Sequence, residues 1–106
     1  MGIFDLFRGT DINSKLQEMR EVNGVVLLDV RNADEYRAGH IPGAINVPVD
    51  SIEGISKKVK KKNTPIYSYC LSGARSSRAV SALRAMGYTN VTNIGGISRY
   101  RGEMER

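Results

Sequence analysis

The chain has 106 residues, 41% of them hydrophobic and 25% charged, with a formal charge of +5, one cysteine and one histidine. That length holds one core and excludes two, and the mix of apolar and charged residues excludes a disordered chain. No apolar run approaches the roughly 20 residues of a membrane-spanning helix; the lone cysteine excludes an internal disulfide and, with one histidine, a four-ligand structural zinc site.

The opening Met1 to Arg8 lacks the basic start, long apolar region and cleavage site of a secretory signal, so a cytoplasmic location is expected. Residues 1–9 read as an apolar N-terminal segment and residues 10–106 as one domain. Both phenylalanines, Phe4 and Phe7, lie in that segment, and Ile3, Leu6 and Phe7 fall on one helical face. Such a face is expected to pack over the domain's own core, the alternative being a second chain or a membrane surface. The oligomeric state is not legible.

The first predicted helix runs from Ser14 to Val22, with Ser14 and Gln17 spaced as a capping box and Gly24 as its stop. Val25 to Leu28 is a continuous apolar run, as expected of a strand covered on both faces, and Asp29, Val30 and Arg31 close it. Asn32 and Glu35 have capping spacing for a short helix through Tyr36, with Gly39 as a left-handed terminator. A second strand is predicted over Ala44 to Val47, stopped by Pro48, and a helix opened by Asp50 and Glu53 with Ile52, Ile55 and Val59 on one face.

Lys57, Lys58, Lys60, Lys61 and Lys62 follow at that helix's end, where cations complement the dipole. A solvated basic face is expected there; no aromatic residue interleaves the run, so no nucleic acid partner is expected. Ile66 to Tyr69 is the third strand, delivering Cys70 to its carboxyl end; a helix follows from Ser76 to Met86 with Gly87 as its stop, then a strand from Val91 to Ile94 ended by Gly95 and Gly96. Strands alternating with helices predict an α/β domain, a mainly parallel central sheet flanked by helices on both faces. In such sheets ligands bind beyond the carboxyl ends of the strands, which is where the strand, loop and helix pattern puts Cys70.

Cys70 reads as a reactive thiol rather than a core filler. Reactive cysteines are held as thiolates by positive surroundings. Three features here favour an anion: a helix amino-terminus, a tight loop from Cys70 to Arg75 whose N–H groups can turn inward, and the guanidinium of Arg75, with Arg78 one turn on. Gly73 eases the curl. No general base is evident beside the cysteine, so activation by a stabilised anion is expected. His40, in a turn between Gly39 and Ile41, fits a local structural hydrogen bond better than proton transfer.

Leu28-Asp29-Val30-Arg31, Glu35-Tyr36 and Gly39-His40-Ile41-Pro42-Gly43-Ala44-Ile45-Asn46-Val47-Pro48 resemble the first signature of rhodanese domains. Cys70, Gly73, Arg75 and Ser76, then Gly87-Tyr88 and Gly95-Gly96, resemble the second, in order and at family spacing. The resemblance covers about Val25 to Tyr100. It implies the rhodanese-like fold and a sulfurtransferase in which Cys70 takes the outer sulfur of thiosulfate or another sulfane donor as a persulfide and passes it to cyanide, a thiol or a protein cysteine. It further implies that the loop Leu71, Ser72, Gly73, Ala74, Arg75 and Ser76 cradles the persulfide, and that Arg75 attracts a small anionic donor. Asp29 and Arg31 match a family pair read as scaffold, bonded to the loop backbone or to Glu35. No cofactor and no metal is implied. Tyr100 stands where family members usually carry tryptophan.

Two other readings stay open. Related dual-specificity phosphatases have five residues between cysteine and arginine, and here four intervene, a ring better suited to sulfur than to phosphate or arsenate. A non-catalytic docking module would be expected to lack the cysteine.

Overall fold

The computed structural model describes residues 11–106; the apolar face expected over Ile3 to Phe7 lies outside them. Four strands form one parallel sheet in the order β2-β1-β3-β4, with β1 at Val26–Asp29, β2 at Ile45–Asn46, β3 at Ile66–Cys70 and β4 at Val91–Gly96. β3 is buried along its whole length. Its side chains alternate between two cores, as a pleated strand requires. Ile66 and Cys70 join Leu28, Ile55, Ala79 and Leu83 on one face; Tyr67 and Tyr69 join Ile12, Leu16, Leu27 and Ile94 on the other. The sheet is therefore covered on both faces, as the unbroken apolar run of β1 predicts.

Helix α1, Ile12–Met19, buries Ile12 and Leu16. It starts earlier than Ser14 because Asp11 is the cap, its Oδ1 accepting from the Ser14 N–H at 3.0 Å. It also ends earlier: Glu21 and Val22 belong to a turn, donating to Glu18 and Met19. Helix α2, Ala33–Ala38, has the predicted capping box of Asn32 and Glu35. Gly39 follows it at φ 159°, ψ 132° rather than in the left-handed helical region. The second strand shrinks to two residues before Pro48.

The helix expected from Asp50 is a 3-10 segment, Val49–Lys57, bent where Ser51 leaves helical geometry, and no side chain caps it. Only at its start does the expectation fail, since Ile52, Ile55 and the following Val59 are buried as one face. Of the basic run beyond it, Lys62 lies over the Tyr88 ring, with Nζ 4.2 Å from the centroid.

Helix α3, Ala74–Ala85, packs on the face that holds Cys70, and Gly87 follows it at φ 101°. β4 runs on through both Gly95 and Gly96, past the expected end at Ile94. One extra residue enters β4 where the pairing moves from Ser68 opposite Asn93 to Tyr69 opposite Gly95. The strand order reverses between β1 and β3, so the carboxyl ends of these two strands open a crevice of the kind that receives ligands in parallel sheets. Asp29 ends one strand and Cys70 the other. No helix among the described residues is long and apolar enough to cross a membrane.

Candidate active site

Cys70 is the last residue of β3, 1% exposed, and the chain turns at once into α3. Its Sγ accepts from the Gly73 N–H at 3.0 Å and from the Ser76 N–H at 3.4 Å. Gly73 makes this possible by taking φ 110°, a conformation that a side chain resists. Ser76 is the third residue of α3, whose N–H normally finds a capping oxygen. Here the cap residue is Gly73 and has no side chain to offer, and the cysteine sulfur stands in that place. This is also why the helix begins at Ala74 and not at the predicted Ser76.

The loop is held from outside. The Ser98 N–H donates to the Leu71 carbonyl at 3.1 Å, and the Gly73 carbonyl accepts from Ser77 N at 2.9 Å and from Asn93 Nδ2 at 3.1 Å. A trans peptide sets its N–H opposite its carbonyl, so the Ser72 and Ala74 N–H groups turn away from these supports. Among the described residues nothing accepts from the N–H of Ser72, Ala74 or Arg75. They are free for an anion in the loop. Gly96 lies directly behind: a Cβ built there would stand 2.6 Å from Ser72 Cα, closer than packed atoms approach. Beneath the loop, Ser76 Oγ and Ser68 Oγ are hydrogen-bonded at 2.8 Å, tying helix to strand. Leu71, by contrast, is 47% exposed at the loop's rim.

Arg75 is placed beside the loop as expected, but it is not a free cation. Its Nη1 donates to Glu35 Oε1 at 2.7 Å and its Nη2 to Glu35 Oε2 at 3.0 Å, across 40 positions of sequence. The guanidinium holds the Glu35 carboxyl below the usual carboxylate range, and the carboxylate raises Arg75 in turn.

Asp29 and Arg31 bond to each other, not to the loop backbone or Glu35. Arg31 Nη2 donates to Asp29 Oδ2 at 2.7 Å and to the Gly39 carbonyl at 2.7 Å, while the Arg31 backbone N–H donates to Asp29 Oδ1 at 2.9 Å. Both are buried, and they lock the end of β1 to the end of α2. His40 makes local contacts: Nδ1 lies 2.8 Å from the Tyr36 carbonyl, the two rings stack at 3.7 Å, and the backbone pairs with Glu105. Tyr100 is half-buried against the α1 side of the sheet and donates to the Glu103 carbonyl at 2.8 Å. It lines a cavity of about 360 Å³ with Leu16, Ile41 and Pro42.

Asn93, Ser98 and Ser68 support the loop without any reading from sequence having marked them. Gly95-Gly96 reads from sequence as a strand end and as part of the second signature, and Gly96 is the point where β4 approaches the loop closely. Among the described residues no cluster of three or more His, Cys, Asp or Glu is disposed to hold a metal ion.

The chain is similar to known proteins in sequence and in fold. Residues 13–103 match the model of the rhodanese-like domain. The chain is 41% identical over 71 residues to thiosulfate sulfurtransferase PspE of Escherichia coli strain K12, covering 66% of this chain and 68% of that protein. It is 33% identical over 86 residues to the thiosulfate:glutathione sulfurtransferase of Homo sapiens, covering 69% and 75%. Other relatives are longer: the chain spans 21% of an adenylyltransferase and sulfurtransferase, UBA4, of Meyerozyma guilliermondii. Among solved structures, an E. coli rhodanese with anions superposes with a TM-score of 0.72 at 35% identity, over 77% of this chain and 98% of that one. Fold and sequence agree, and the chain belongs to the rhodanese-like domain family, whose members here include sulfurtransferases.

Proposed function

We propose that the protein is a sulfurtransferase that carries sulfane sulfur as a persulfide on Cys70, taking it from thiosulfate or a persulfide and giving it to a thiol, a protein cysteine or cyanide. The observation that carries this reading is the pair of N–H groups, Gly73 and Ser76, directed at Cys70 Sγ from a helix amino-terminus. In the first half-reaction the Cys70 thiolate attacks the donor's outer sulfur. A new S–S bond forms, the donor's S–S bond breaks, and the electron pair leaves on sulfite from thiosulfate or on the donor's thiolate from a persulfide. In the second, the acceptor attacks the outer sulfur and Cys70 departs as the thiolate.

The added sulfur carries negative charge, and the free N–H groups of Ser72, Ala74 and Arg75 are the donors available to it. Leu71, Ser72, Gly73, Ala74, Arg75 and Ser76 are thus its cradle; Asp29, Arg31 and His40 hold the scaffold around it. A reducing cytoplasm suits a chain whose single cysteine must stay a thiol. The test is intact mass after incubation with thiosulfate. One added sulfur atom is expected, removed by cyanide and missing in Cys70→Ala. An unmodified wild-type protein after thiosulfate and persulfide donors alike would reject the proposal.

A further inference from the structure

Positive charge reaches the loop from Arg75 and, one turn further, from Arg78. Each has a carboxylate: Arg75 has Glu35, and Arg78 Nη2 lies 3.4 Å from Asp50 Oδ1. The two pairs differ in how they are built. Arg78 and Asp50 are largely exposed, at 65% and 88%, and such a pair holds little charge in place. Glu35 and Arg75 are 28% and 31% exposed and meet fork to fork. Glu35 is also fixed from its own side, Oε1 accepting from the Asn32 N–H at 3.1 Å in the α2 capping box. A carboxylate anchored in this way cannot swing aside easily when an anion arrives.

We infer that Glu35 is a specificity-determining residue: by cancelling the charge of Arg75 it removes the advantage a bare guanidinium would give the doubly charged thiosulfate and opens the site to sulfane donors carrying one negative charge or none. The inference rests on the sulfur-transfer reading and names the donor class of that same site. An uncompensated guanidinium attracts a dianion about twice as strongly as a monoanion at equal distance, whereas a neutral ion pair distinguishes them weakly. The backbone N–H groups, which are dipoles with short reach, then do the recognising of the outer sulfur.

The test compares kcat/KM for thiosulfate with that for an aromatic thiosulfonate, cyanide being the acceptor. Both donors present a terminal sulfur and undergo the same step, the S–S bond breaking with its electron pair on sulfite in one case and on a sulfinate in the other. They differ by one charge. Glu35→Gln keeps one oxygen for the Asn32 N–H and for Arg75 Nη1, removes the charge, and gives up the second acceptor, opposite Arg75 Nη2. It is expected to raise the thiosulfate-to-thiosulfonate ratio by roughly three- to tenfold, with the gain shrinking as salt is added. Arg75→Gln, which leaves Glu35 unopposed, is expected to lower the ratio below that of the wild type. If both variants change the two donors alike, Glu35 only braces the loop and the inference is overturned. If the wild-type protein takes sulfur from neither donor, it is the sulfur-transfer reading that fails.

Discussion

The sulfur of Cys70 lies 3.4 Å from the Ser76 N–H, in the place where a serine or aspartate oxygen ordinarily caps a helix. One atom thus ends a strand, starts a helix and is the candidate nucleophile. Stability and chemistry can be separated there. Cys70→Ser keeps an acceptor and is expected to unfold within about 1 kcal/mol of the wild type while taking up no sulfur, and Cys70→Ala to lose about 1 kcal/mol more through the missing cap. Urea unfolding together with intact mass checks both.

Gly96→Ala tests the support behind the loop. The new Cβ would collide with backbone atoms of Leu71 and Ser72, so the loop must move. A loss of about 1–3 kcal/mol is expected, as for overpacked cores. Sulfur loading should slow by at least roughly tenfold, because the N–H groups no longer converge on the sulfur. Loading at the wild-type rate in the folded variant would contradict the account of the loop.

Arg31→Lys separates scaffold from catalysis. A lysine cannot reproduce the guanidinium's simultaneous bonds to Asp29 and to the Gly39 carbonyl. The expected cost is about 1–3 kcal/mol in denaturant unfolding, with sulfur loading by the folded fraction close to that of the wild type.

Tyr67 gives a pH signature far from the site. Its hydroxyl donates to Glu18, and that bond pushes its ionisation up to about 12, from an ordinary value of 10.0. A group raised on folding stabilises the fold fully below its unfolded value and loses that contribution as pH rises through the folded one. The contribution of the bond is therefore expected to be constant from neutral pH, where Glu18 is ionised, up to about pH 10 and to fade toward 12. Phenolate absorbance should show a component near pH 12 that Tyr67→Phe removes, leaving the still later ionisation of buried Tyr69 in place.

Much of the fold is legible because its signals are local. The continuous apolar run that enters β1, the Asn32 and Glu35 capping box and the stop at Gly87 all act within a few residues. The start of α3 was misplaced because its cap comes from a cysteine outside the usual capping residues, and the start of α1 because Asp11 outranks Ser14. The bend at Ser51 leaves no pattern at all. In the site, Cys70 and its loop could be read from their place between strand and helix. The Arg75–Glu35 pair could not, since two charges 40 positions apart carry no spacing rule, and neither could the contacts of Asn93 and Ser98 with the loop carbonyls.

Cys70, a residue only 1% exposed, is out of reach of another protein's surface. Lengthening the side chain by one S–S bond, about 2.05 Å, moves the reactive atom outward by most of an atom's diameter. On the proposed reading, a visiting thiol would meet only the cargo and never the carrier beneath it. Release would then be favoured over a lasting crosslink between the two proteins.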